Sequence, residues 1–269
     1  MSKTLFQRIA TGLLPFILAA CAATGGAQLA GVEERGERLA KAEAMFAERC
    51  KKAGVFIHRT AENVEGVFLM KLRPQGINHG DQYAMDDPYG RDLGGDGYIE
   101  SFAKGSFQAN NRGPLNPGSP EYRGYHYVEA LDPKDGKRYR YTGRIDEPWR
   151  YDASYSKTYK RFVLDKVPSP DSMPRYGVTY DDISTREERD HWIAGSSLKV
   201  IDLQTNEVMA ERIGYMMDRG QGNTNSGRSP WLFAADNACP EFAPRHGARA
   251  QQRQAQVFVE KVLKPILEN

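Results

Sequence analysis

The stretch YHYVEALDPKDGKRYRYTGR sets the tightest constraint on the fold. Two strand-forming runs, Tyr125–Leu131 and Lys137–Arg144, flank DPKDG, whose Pro, Asp and Gly suit a tight reversal. Leu198–Leu203 and Val208–Met216 repeat the pattern around QTNE. Further strands are expected at Thr158–Val163 and Tyr176–Tyr180, and a pair at Val55–Thr60 and Val64–Arg73 around the polar turn AEN, with Pro74 stopping the second. Sheets assembled from neighbouring hairpins are antiparallel, so a mostly antiparallel sheet is expected.

Helical periodicity is confined largely to the ends. From Val32 to Ala53, Leu39, Ala42, Phe46, Cys50 and Ala53 recur at helical spacing with charged residues between them, and Gly54 ends the run. At the other end a helix is expected over Ala248–Leu267, with Val259, Val262, Leu263 and Ile266 on one face. Short helices are expected over Tyr98–Ala103 and, after a capping box at Ser184-Thr185-Arg186-Glu187, up to Trp192. Strands in the middle with helices at the termini give the α+β class. One domain is expected over residues 32–269.

The first residues serve another purpose. MSKTLFQR carries Lys3 and Arg8 and no acid, and an apolar run from Ile9 to Ala20 follows. A positive start, a short apolar stretch and a small-residue exit describe a secretory signal. A membrane-spanning helix needs ~20 apolar residues, more than this run supplies.

Leu18-Ala19-Ala20-Cys21 resembles the lipobox of bacterial lipoproteins. The resemblance implies removal of residues 1–20 as signal peptide and acylation of Cys21, with residues 21–31 as a flexible tether. Several acyl chains hold a protein at a bilayer where a single chain binds only reversibly. Ala22, which is not aspartate, implies sorting to the outer membrane with the body on its periplasmic face. The alternative is an ordinary signal cut near Ala22 or Ala23; either way the chain is exported.

Export changes the charge and the cysteines. Of 37 basic residues, Lys3 and Arg8 leave with the signal, so 35 face 35 acidic ones. A nucleic-acid binder carries a basic surplus, so no nucleic-acid partner is expected. In an oxidising compartment Cys50 and Cys239 are free to form a disulfide, the alternative being two separate buried thiols.

Candidate sites are sparse. His58, His79, His126, His191 and His246 show no metal-ligand spacing, and Glu188-x-x-His191 is a single copy of a motif that di-metal sites need twice. Asp86, Asp87, Asp92, Asp96 and Glu100 sit in a Gly-rich loop but miss the calcium-loop spacing. No Gly-x-Ser-x-Gly elbow is present. The expectation is no metal and no cofactor, and the motifs lean away from an enzyme.

Charge is segregated. Asp81–Glu100 is strongly acidic, and Lys137–Arg161 is strongly basic and rich in aromatics. Arg138, Tyr139, Arg140, Tyr141 and Trp149 are the candidate partner-binding residues, as an aromatic and basic surface for an acidic partner. Strand alternation alone also accounts for Arg138 to Tyr141. The loop 220–231 offers a polar tip, with Trp231, Leu232 and Phe233 read as a core plug.

The stretches ERCKKAGVFIHRT, HWIAGSSLKVIDLQTNEV and SPWLFAADNACP resemble uncharacterised exported proteins of Gram-negative bacteria, which names no activity. The reading is of a binding lipoprotein with a protein partner, in its specific form an immunity protein against a secreted antibacterial toxin. An envelope assembly factor is the alternative, and a hydrolase with dispersed residues comes third.

Overall fold

A computed structural model describes residues 34–75, 82–83, 92–105, 124–241 and 253–266. Residues 1–31, where the signal peptide and the tether with Cys21 are expected, and His79, Asp81, Asp86, Asp87 and His246 lie outside the described residues.

Helix α1 runs through residues 34–50. Three short strands follow: β1 (Gly54–Ile57), β2 (Ala61–Val64) and β3 (Gly66–Leu69). After helix α2 (Asp96–Lys104) come β4 (Tyr127–Leu131), β5 (Arg138–Asp146), β6 (Arg161–Pro168) and β7 (Tyr176–Asp182). Helix α3 (Arg186–Asp190) leads to the long pair β8 (Ile193–Asp202) and β9 (Glu207–Met217). Helix α4 (Pro230–Ala234), β10 (Ala238–Cys239), helix α5 (Gln254–Val262) and β11 (Leu263–Pro265) complete the chain.

The main sheet has nine strands in the order β1-β9-β8-β7-β3-β4-β5-β6, with β10 also on β9. The expected hairpins β4–β5 and β8–β9 form, and β5–β6 and β7–β8 are antiparallel as well. The sheet is nevertheless mixed, which corrects the expectation of a mostly antiparallel one. Its middle strand β3 runs parallel to both neighbours, β4 and β7.

The expected hairpin around AEN does not form. Residues Ala61–Val64 are themselves a strand, pairing in parallel with β11 in a separate two-stranded sheet, while β1 pairs with β9. Asn63, within β2, has φ 55°, and Glu65 alone separates β2 from β3, where the chain leaves one sheet and enters the other. Three smaller corrections follow. The capping box closes one residue later than expected, between Thr185 and Glu188, and the last helix gives way to β11 at Leu263. Strand β6 likewise begins at Arg161, beyond Thr158.

The core lies between the sheet and helices α2 and α5. Tyr98, Ile99, Phe102 and Ala103 of α2, and Phe258, Val259 and Val262 of α5, meet Val67, Leu69, Val128, Val178 and Val200 from the sheet. Full burial of each large apolar side chain is worth about 1.5–3 kcal/mol. Chain path and packing meet tightly at Gly124, where an added Cβ would sit 1.8 Å from the Phe102 carbonyl oxygen. The neighbouring Tyr125 amide donates to that oxygen at 2.9 Å.

Helix α1 covers the opposite face at the β8–β9 end, where Ala42, Met45 and Phe46 pack on Ile193, Tyr215 and Met217. Cys50, at its end, is bonded to Cys239 in β10. The disulfide thus fastens α1 to an edge strand of the main sheet. Ion pairs from Lys41 to Glu187 and from Arg49 to the buried Glu188 tie α1 to α3 as well.

Candidate functional site

Period-two geometry separates the candidate partner-binding residues. In β5, Arg138 and Arg140 point to one face of the sheet and Tyr139 and Tyr141 to the other, while Trp149 lies beyond the strand in a single helical turn. The two arginines converge on Glu129, their cross-strand neighbour, whose side chain is fully buried. Arg138 Nε stands 3.2 Å from it and Arg140 donates from Nε at 2.9 Å. The Arg140 guanidinium also lies 3.8 Å over the Tyr127 ring.

On the other face Tyr141 is buried in the core. Tyr139 donates its hydroxyl to Asp135 at 2.8 Å and carries the Lys166 ammonium 3.8 Å over its ring. The hydrogen bond to Asp135 raises the Tyr139 phenol above its ordinary value. Further along, Arg144 pairs with Asp165, Arg161 with Asp146, and Arg150 and Lys160 with Glu147. Arg138, Arg140, Arg144, Arg150, Lys160 and Arg161 are therefore matched by acids of β4, β5, β6 and the β5–β6 connection.

The loop after β9 is organised by Asp218, which is fully buried. Its carboxylate accepts from the Gly220 and Gly222 amides, each at 2.9 Å, and from the Arg228 guanidinium. Gly222, at φ 83°, lies against the Trp192 indole, where a side chain has no room. The expected plug divides. Trp231 is buried against Trp192, with ring centroids 4.9 Å apart, while Phe233 is exposed.

The single Glu188-x-x-His191 motif, which reads as a solvated helix face in the sequence, has Glu188 buried and its two side chains on different partners. Glu188 accepts from the Thr185 amide at 2.6 Å and pairs with Arg49, while the His191 ring contacts the Glu187 carbonyl. Among the described residues no group of three or more His, Cys, Asp or Glu side chains is placed to hold a metal.

A site that the sequence reading missed lies on the helix side of the sheet. Tyr180, Leu198 and Arg212 are register partners across β7, β8 and β9, so their side chains share a face. With Ser196, they form the floor of a pocket. Arg73, beyond the end of β3, and Tyr98 of α2 wall it, and Asp92 with Gln254 and Ala255 at the start of α5 closes it. The space is about 330 Å³ including its open mouth.

The polar groups here are deeply placed. Arg73 and Arg212 are each 6 % exposed and Tyr98 1 %. Tyr180 donates to the Leu72 carbonyl at 2.9 Å, and the Arg73 carbonyl accepts from Gly95 at 2.7 Å, which fixes the wall beside Tyr98. Burial pushes the Tyr98 phenol far above its ordinary value, against the pull of Arg73, so the hydroxyl keeps its proton. The Tyr98 hydroxyl has no hydrogen-bond partner among the described residues.

One sequence signal could have found Arg212. In VMAERIGYM, Ala210 and Met216 are buried on the inward side of the alternation, and Arg212 occupies the same phase. An arginine at a core position is a buried charge that needs a reason. No protein-family model, curated protein or solved structure matches the chain.

Proposed function

We propose that the chain is an exported lipoprotein, held at the periplasmic face of the outer membrane by acylated Cys21, and that it acts by binding a protein partner. In its specific form it is an immunity protein that neutralises a secreted antibacterial toxin.

The observation that carries this reading is the bond between Cys50 and Cys239. It uses both cysteines of the folded body, and such bonds persist in oxidising compartments. Of the chain's three cysteines it leaves Cys21, at the end of an apolar run behind two basic residues, to carry lipid. Acylation is the chemistry that gives a thiol in that position a role.

Cell fractionation tests the anchor. Cys21→Ser is expected to move the protein from the membrane to the soluble periplasmic fraction and to abolish incorporation of labelled palmitate; unchanged membrane association overturns it. Competition assays test the partner. A strain lacking the chain is expected to lose viability beside toxin-secreting rivals, and equal survival overturns the immunity role. Capture of a stoichiometric resident partner from crosslinked envelopes reassigns the protein to envelope assembly.

A further inference from the structure

The main sheet ends on two different kinds of edge. Strand β6 closes one side with Arg161, Asp165, Lys166 and a terminal Pro168, the charges and proline by which edge strands discourage further pairing. Strand β1 closes the other with Gly54-Val55-Phe56-Ile57 and no charged residue. Val55, Phe56 and Ile57 are 46 %, 43 % and 42 % exposed, and no strand lies beyond them among the described residues. A bare apolar edge of this kind is a template for another strand.

Register decides which backbone groups face outward. The His58 amide, one step beyond the pair Ile57–Ala210, donates to the Met209 carbonyl at 2.9 Å. Antiparallel ladders alternate, so Gly54 and Phe56 bond to β9 in the same way, while Val55 and Ile57 turn their N–H and C=O groups away from it. Those outward groups meet no partner among the described residues. The strand is also held in place in advance. The Cys50–Cys239 bond fastens the chain just ahead of Gly54 to β10, which lies beside β1 along β9. A strand fixed beforehand loses little freedom on pairing.

Charge selects the occupant. Around β1, Lys51 pairs with Glu48, and Arg59 with Asp202 and Glu207. Lys52, exposed at the entrance to the strand, has no ion pair among the described residues. A second copy of the chain, laid antiparallel with Val55 against Ile57, would bring its Arg59 beside Lys52, and like charges across a strand pair are destabilising. We propose that β1 is a docking edge for an extended segment of a partner protein. The segment adds antiparallel to β1, with apolar residues opposite Val55, Phe56 and Ile57 and an acidic residue toward its carboxyl end, where it meets Lys52. Main-chain hydrogen bonds to Val55 and Ile57 supply affinity, and the side chains supply specificity. The inference rests on the reading of the chain as one that binds a protein, and it names the edge and the chemistry of that binding.

A phage-displayed library of random short peptides, panned on the full chain in detergent, tests it. The selected peptides are expected to carry an apolar run with aspartate or glutamate on its carboxyl side, and to protect the Val55 and Ile57 amides from hydrogen exchange when they bind. Ile57→Pro removes an N–H that faces away from β9, a position where edge strands accept proline. It is expected to weaken the selected peptides about tenfold, and Lys52→Glu to weaken them by a similar factor. No enrichment overturns the proposal, as do selected peptides that leave those amides unprotected and bind Ile57→Pro as well as the wild type. A chain that sediments as a dimer until Ile57→Lys makes it a monomer places a second copy on the edge and overturns it too. Competition beside toxin-secreting rivals separates this inference from the broader reading. Survival of an Ile57→Pro strain, where a strain lacking the chain dies, overturns the role of β1 and leaves the protein-binding reading standing.

Discussion

The Asp92 carboxylate accepts a hydrogen bond from the Ala255 amide at 2.7 Å, so the start of α5 is capped by a residue just ahead of α2. The residue flanking α5, Arg253, has φ 67° and no capping side chain of its own. Its guanidinium reaches back to the carbonyls of Ser101 and Gly105 at the end of α2. Asp92→Ala is expected to destabilise the protein by about 1–2 kcal/mol, the usual cost of a lost cap. Urea unfolding followed by circular dichroism checks this, and an unchanged midpoint refutes it.

The loop between β9 and α4 depends on the pair Asp218–Arg228, in which the carboxylate is fully buried and the guanidinium is partly exposed. Arg228→Met leaves a buried carboxylate without its charge partner, which costs roughly 3–5 kcal/mol. Limited proteolysis is expected to cleave this variant within residues 219–228 faster than the wild type. Equal rates would show that the Gly220 and Gly222 amides alone satisfy Asp218.

Reduction of Cys50–Cys239 opens a loop spanning 189 residues. In the chain-entropy picture a closure of that length contributes about 5 kcal/mol. Unfolding in the presence of a phosphine reductant is therefore expected to shift to markedly lower denaturant, and Cys239→Ala should reproduce the shift without reductant. A reduced protein as stable as the oxidised one would contradict this.

Acid sensitivity should concentrate at Asp202. Its buried carboxylate pairs with Arg59 at 2.8 Å and Arg175 at 3.0 Å and accepts from the Gln204 amide. The hydrogen bond from Arg175 holds its pKa below the ordinary carboxylate range. A carboxylate with a lowered folded-state pKa binds its proton more readily in the unfolded chain. Its contribution is thus complete above the unfolded value of about 3.9 and is lost as pH falls through that value toward the folded one. Urea midpoints between about pH 6 and pH 3 are expected to fall less steeply for Asp202→Asn than for the wild type, and parallel slopes would count against the assignment.

The parts of the fold legible in the sequence are those encoded by near neighbours. DPKDG turns β4 into β5 because Asp132 accepts from the Lys134 amide and Gly136 adopts φ 68°, both local events. The pairing of Cys50 with Cys239 was also legible, since reading Cys21 as the end of a signal left two cysteines to pair. Strand β2 was hidden because its partner, β11, comes from the far end of the chain. Polar Glu62 and Asn63 read as a turn, and nothing nearby says otherwise. The parallel setting of β3 was hidden for the same reason. The pocket drew one group from each of several distant segments, so no motif of fixed spacing announced it. Arg212, out of place in an inward phase, was the only mark it left in the sequence.

The position of β3 has a kinetic consequence. A strand parallel to both neighbours cannot be added by folding back a hairpin, because each of its connections must cross over. The segments β4–β5–β6 and β7–β8–β9 can each zip up from local turns, but β3 finds its place only when both exist. Its link to β7 is short, pairing Phe68 with Gly177 and Leu69 with Val178. Such long-range closure is the slow step in sheet proteins, so the two halves of the sheet should form early and separately, and the chain becomes one body when Val67 and Leu69 close the line between them.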